Sequence, residues 1–264
     1  MSEPVIEKVV RALKSFRRAP SKTRWLARKA RARTTRRKTA QAGAAFVERL
    51  PHEQAANKAF DLRFHTDTAD EVALVEAGMS AEQAAMGNGV YRPLWESDFH
   101  ATMAALGIAF DGFTFVDIGS GKGKLLLLAS DYPFSRIVGI EYSPRLHAAA
   151  HRNIEVYCSP TQRCGTIEAF QGDALDFRLP DGALVCLLFN ALNPTTTRKF
   201  VERQEASLAF REAPAFFIHA NLRHIAEIDD GFDGLRHLQC LKQTDKLIVF
   251  GNAAARALHR SSTD

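Results

Sequence analysis

Between residues 113 and 250, short apolar runs alternate with stretches in which apolar residues recur at helical spacing. Phe115, Val116 and Ile118 form the first run, which breaks at Gly119, Gly121 and Gly123 and resumes as Leu125, Leu126, Leu127 and Leu128. A β-prone run, a glycine turn and an apolar helix start read as the first half of a βαβ unit. Further apolar runs at 136–141, 166–170, 183–189 and 215–219 predict four more strands. Those at 235–241 and 246–250, joined by a short polar turn, predict a closing antiparallel pair. Helices are expected over 123–130, 144–157 and 195–206, the last opened by Pro194 and a threonine run. Strands that read as buried on both faces, separated by helices, define an α/β sheet.

The glycine turn narrows the chemistry. A phosphate-binding loop needs a glycine with four residues between it and Gly-Lys, then Ser or Thr. Here Ile118 stands where that glycine belongs and Leu125 follows Lys124. A dinucleotide fingerprint needs G-x-G-x-x-G, but position 124 is Lys and the third glycine comes one residue early. What remains is Asp117-x-Gly119-Ser120-Gly121-x-Gly123, a loop against whose backbone a ligand can lie because no Cβ blocks it.

Three later run ends complete a set. Glu141 closes the second strand 22 residues after Gly119, near the interval of about 20 between a glycine loop and a ribose-binding acid. Gln171-Gly-Asp173-Ala174 follows the third, and Asn190 follows the fourth. Ligands of open α/β sheets bind outside the carboxyl ends of the strands. This arrangement resembles the class I S-adenosylmethionine (SAM) methyltransferases. The resemblance implies a Rossmann-like, seven-stranded, mostly parallel sheet with one antiparallel C-terminal strand and helices on both faces. It implies SAM as cofactor, held by Asp117, Gly119, Ser120, Gly121, Gly123 and Glu141, with Asp173 and the backbone at Ala174 on the adenine. It puts Asn190 beside the transferred methyl. Many relatives carry Asn-Pro directly after the fourth strand, whereas here Ala191 follows Asn190 and the pair falls at 193 and 194. Without the resemblance, Glu141 also reads as a solvated strand-end acid, Asp173 as a turn former and Asn190 as a cap.

Upstream stand Phe60-Asp-Leu-Arg-Phe-His-Thr-Asp67-Thr68 and Asn88-Gly-Val-Tyr91-Arg-Pro93, then an amphipathic segment to Leu106. Over about 58–252 the chain is similar to a widespread bacterial methyltransferase group. Its Tyr-x-Pro element resembles the non-SET protein lysine methyltransferases that act on nucleosomal histone and on the ATP synthase c subunit. That likeness implies a segment folded over the cofactor, with Tyr91 lining the methyl-transfer channel; an interfacial aromatic with a wet hydroxyl is the alternative. It also implies a nitrogen acceptor, a protein lysine favoured. The expected organisation is a basic arm (1–45), a helical extension (46–107), the SAM-binding core (108–254) and a disordered tail (255–264).

Charge separates the arm from the body. Residues 1–40 hold 14 lysines and arginines against Glu3 and Glu7, a net of +12, leaving the rest with 21 basic and 28 acidic residues, a net of −7. Val5, Val9, Leu13 and Phe16 recur at helical spacing until Pro20. Such an arm suits an anionic membrane surface, nucleic acid or an organelle transit signal, or it is simply a solvated tail. A SAM-fold adaptor working through the arm, and a small-molecule O- or N-methyltransferase, are the competing functions. Cys158, Cys164, Cys186 and Cys240 lack metal spacing and read as reduced thiols, so no metal is expected and a cytoplasmic, or membrane-peripheral, location is.

Overall fold

The computed structural model describes residues 48–220, 235–244 and 246–261. The chain divides into two units, Met1–Ala44 and Ala45–Asp264, and the described residues all belong to the second. The basic arm, with its helical periodicity, lies outside them.

Seven strands form one sheet: β3 (Thr114–Ile118), β4 (Arg136–Glu141), β5 (Ile167–Gln171), β6 (Leu184–Phe189), β7 (Ala215–Ala220), β8 (Gln239–Gln243) and β9 (Leu247–Gly251). Their order is β5-β4-β3-β6-β7-β9-β8. β9 runs antiparallel to both neighbours and every other pairing is parallel. This is the seven-stranded, mostly parallel sheet with one antiparallel strand that the sequence led us to expect, its strand order switching between β3 and β6.

Alternation along each strand divides two cores. Val185, Leu187 and Phe189 of β6 join one cluster and Leu184, Cys186 and Leu188 the other, because successive side chains leave opposite faces. The first face is covered by α3 (Glu96–Leu106) through Phe99, Met103 and Leu106, and by α4 (Lys124–Ala129) through its leucines. The second is covered by α6 (Pro194–Leu208) through Phe200, Val201 and Leu208. Each fully buried apolar side chain stabilises the fold by about 1.5–3 kcal/mol. α5 (Pro144–Val156) starts where Ser143 accepts from the Leu146 N–H and Pro144 supplies a preset φ. α6 starts in the same way at Asn193 and Pro194.

Ahead of the sheet lie a helix over residues 48–64 (α1), a two-residue pair of β1 (Val72–Ala73) with β2 (Val90–Tyr91), and α2 (Ala81–Met86). Two expectations need correction. The closing pair begins at Gln239 rather than 235. The tail expected to be disordered forms α7 (Ala253–Ser261), because Ala255 is fully buried against the first core and anchors the turn. Among the described residues no helix is long and apolar enough to cross a membrane.

Candidate functional site

The carboxyl ends of β3, β4, β5 and β6 open on one cleft. Asp117, Gly119, Ser120, Gly121, Glu141, Asp173, Ala174, Asn190 and Tyr91 all line it. Gly123 does not: it turns the chain into α4 and faces Ala150, which a Cβ would meet at 3.1 Å.

Glu141 ties strand end to loop. Its Oε2 accepts the Gly121 N–H at 2.8 Å and its Oε1 the Ser143 N–H at 2.7 Å. Burial pushes its pKa up, while the backbone N–H groups of Ser143, Gly121 and Tyr142 pull it back. Each carboxylate oxygen has two lone pairs, so both can still accept from vicinal hydroxyls. Asp117 is the more exposed problem electrostatically: it is 2% solvent-accessible, its Oδ2 has no partner, and burial followed by the field of Glu141 pushes its pKa up to about 8. The Ser120 hydroxyl is likewise buried and unpartnered. Asp173 uses Oδ1 to accept the Leu175 N–H at 2.8 Å, the turn-forming bond. Asn190 adopts φ +51°, and its carbonyl accepts from Asn88 Nδ2 at 2.7 Å.

The glycines serve contacts within the chain. Gly121 has φ +56°, and a Cβ there would stand 2.2 Å from Tyr91 Cε2. A Cβ on Gly119 would stand 2.6 Å from the Ala191 methyl. The space at Gly121, expected for a ligand, is therefore taken by the Tyr91 ring. The Tyr91 hydroxyl is not wet either: it donates to the Thr68 carbonyl at 2.9 Å, and burial, then Asp61, holds it protonated. Tyr91 gives the cleft its ring.

The upstream motif residues are explained by this docking. Asp61 accepts from the Thr66 and Thr68 hydroxyls at 2.8 and 2.7 Å and from the Thr68 and Ala69 N–H groups at 2.7 and 2.6 Å, folding residues 65–69 into a strap. Asp67 of the strap pairs with Lys122 of the glycine loop at 2.7 Å. Asn153, from α5, accepts the Asp67 N–H and donates to the Asp67 and Lys122 carbonyls. Lys124 Nζ donates to Asn57 Oδ1 at 2.5 Å and lies 4.6 Å from the Phe60 ring centroid, and burial pulls its pKa down to about 8. Across the cleft, Gln83 Nε2 donates to the Tyr142 hydroxyl at 2.7 Å and Ser143 Oγ to the Ala77 carbonyl. On the far side Asn193 Nδ2 donates to the Ala85 carbonyl. The α2 segment is thus pinned to the ends of both β4 and β6.

Sequence reasoning missed Gln83, Tyr142, Lys122 and Lys124 as parts of this site. Lysines between glycines read as solvated, and nothing local announces partners more than fifty residues upstream. It also passed over His147 and His151, one turn apart on α5 with ring centroids 4.6 Å apart. Among the described residues no cluster of three or more metal-ligating side chains includes them.

No protein-family model matches the chain, and no curated protein does. Solved structures do. Magnesium protoporphyrin IX methyltransferase from Synechocystis PCC 6803, with bound SAM, is 13% identical over 60% of this chain and 79% of its own, with a TM-score of 0.41. An RNA methyltransferase from Salinibacter ruber in complex with S-adenosyl-L-homocysteine is 17% identical over 60% and 91%, TM-score 0.41. Precorrin-6y C5,15-methyltransferase from Geobacter metallireducens GS-15 is 14% identical over 59% and 87%, TM-score 0.42. Overlap of this extent carries no conclusion about reaction or acceptor.

Proposed function

We propose that this chain is a SAM-dependent methyltransferase that methylates a nitrogen, the lysine side chain of a protein. The observation that carries the first half is the convergence of Asp117, the 119–121 turn, Glu141 and Asp173 on one cleft at the switch point of the sheet. The donor set suits the cofactor. Glu141 has free lone pairs for ribose hydroxyls, Asp173 retains Oδ2 for an amino group, and Asp117 Oδ2 and Ser120 Oγ are buried polar atoms that lack a partner. Orphaned polar atoms in a cleft cost stability that a ligand recovers.

Bound SAM supplies an electrophilic methyl on a sulfonium. The chain's own work is to hold a nucleophile in line with that carbon at about 3–3.5 Å and to keep water away. Asn190 lines the cleft where β6 ends, and its amide oxygen can accept one hydrogen of an incoming amine. Its left-handed φ, which asparagine tolerates better than most residues, ends the strand direction at that position. The Tyr91 ring offers an apolar wall that keeps water from the approaching amine, and loss of hydration lowers an amine's pKa. Neither group is anionic, so neither holds the proton on the acceptor. The lysine choice rests on the likeness of the Tyr-x-Pro element and Asn190 to non-SET lysine methyltransferases.

Incubating the full chain with methyl-labelled SAM and fractionated lysate tests this reading. Label in protein, lost on prior chemical blocking of lysines, supports it. Label confined to RNA, lipid or an O-methylated small molecule overturns the acceptor and leaves the transferase. No label, with no SAM binding by calorimetry, overturns both.

A further inference from the structure

The residues assigned to the cofactor stand at the ends of β3, β4 and β5. A second cavity lies at the same edge of the sheet, over its other half. Phe189 ends β6, Ala220 ends β7 and Leu247 begins the antiparallel β9, and all three line it. Ala101 and Ala105 of α3 close the top. Phe189 and Leu94 line the cofactor cleft as well, so the two spaces are neighbours that share a wall. Asn190, which meets the acceptor in the reading above, follows Phe189 directly. The cavity measures about 280 Å³. That is just under the range of roughly 300–1,000 Å³ that takes a whole small molecule, and it suits a single side chain.

The charges around this cavity do not balance. Asp98, from α3, uses Oδ1 to accept from Arg49 at 3.2 Å and from Lys246 at 3.0 Å. Lys242 also lines the cavity; its ammonium donates to the Ala105 carbonyl at 3.0 Å and pairs with no carboxylate among the described residues. Three cations around one anion disfavour a basic occupant and favour an acidic one. The walls, by contrast, are apolar, and water is displaced from them at a gain.

We propose that this cavity selects the acceptor: it takes an apolar side chain that flanks the methylated lysine, while an acidic residue beside that side chain meets Lys242. This rests on the lysine reading above. Phe189 then separates the two tasks, with methyl transfer on one side of its ring and recognition on the other. The sequence hides the cavity because its parts come from α3, three strands and the β8–β9 turn, none of which carries a motif.

The test is methylation of short peptides centred on one lysine, each flanking position varied in turn, by the full chain with labelled SAM. Wild type should prefer a large apolar residue at one position by at least about tenfold in kcat/KM over alanine. It should prefer an acid to a base next to it by about two- to fivefold, a margin that shrinks as salt is raised. Ala101→Trp fills the cavity from an exposed position on α3 and should erase the apolar preference. Lys242→Glu should reverse the acidic one. Titration with SAM should give wild-type affinity for both variants. A wild type that labels lysine peptides without either preference overturns the proposal, and that comparison needs no variant to fold. Preferences that survive both substitutions overturn it as well. A protein that binds SAM and labels no lysine peptide overturns the lysine reading itself, and the selection pocket with it.

Discussion

The ring of Tyr91 rests on the backbone of Gly121, so near that a Cβ at 121 would lie 2.2 Å from Cε2. Because the Tyr91 hydroxyl donates to the Thr68 carbonyl, and Asp67 beside it pairs with Lys122, the contact joins β2, the strap and the glycine loop into one assembly. Gly121→Ala must therefore displace the ring as well as strain a residue at φ +56°, the latter costing roughly 1–2 kcal/mol. We expect apo stability to fall and SAM affinity to drop at least about tenfold. A double-mutant cycle with Tyr91→Ala checks the cause. If the ring carries the cost, the pair is destabilised by less than the sum of the singles; additivity within about 0.5 kcal/mol would show that the two do not couple.

Glu141 holds two backbone N–H groups in addition to any ribose. Glu141→Ala leaves both without their acceptor in a buried place, at about 1–3 kcal/mol each, so the apo protein should lose stability as well as cofactor affinity. Glu141→Gln keeps one acceptor oxygen and should lose less of both. Chemical denaturation of the apo proteins measures the first quantity and SAM titration the second. An unaltered denaturation midpoint for Glu141→Ala would contradict the bonding described.

Asn153 is 3% accessible and makes three hydrogen bonds that join α5, the strap and the loop. Asn153→Ala should cost about 2 kcal/mol or more, and Asn153→Asp should not rescue it, since a carboxylate cannot donate to the Asp67 and Lys122 carbonyls. Hydrogen exchange should rise first in residues 66–69. Uniform destabilisation without that local signature would make Asn153 an ordinary core residue.

Much of this was legible in the sequence, and the reason is local. β3, its glycine turn and α4 announce themselves because a buried run, a turn and an apolar helix start each have their own residue types within sixteen positions. Glu141, Asp173 and Asn190 were placed by their strand ends, and their expected roles by the resemblance. The polar docking does not. Asp61, Asp67, Asn57 and Asn153 look like surface residues, and only the fold brings them against Lys122, Lys124 and Thr68. The reason for Gly121 was misread for the same cause: its close neighbour is a side chain thirty residues earlier. α7 was missed because its anchors on the first core are few, Ala255 and Leu258.

His219 lies inside β7, 3% accessible, with Nδ1 unpartnered, and burial pulls its pKa down to about 4. An imidazole with a folded pKa below its unfolded value of about 6.5 is held neutral by folding. The stability this contributes is present above about pH 6.5 and is lost as the pH falls toward 4, because the unfolded chain takes up a proton that the native chain refuses. The slope is at most about 1.4 kcal/mol per pH unit, or about 3 kcal/mol across the window. Asp117, whose folded pKa is raised to about 8, works in the opposite sense: its contribution is present at low pH and lost as the pH rises through that value. His219→Leu should therefore remove this acid-side loss, so that the stability of the variant relative to wild type rises as the pH falls below about 6.5 and is constant above it. Urea unfolding of wild type and variant at pH 5 and pH 7.5 measures it, with the variant gaining on wild type at the lower pH. A difference between the two proteins that is the same at both pH values would show that His219 does not titrate on unfolding.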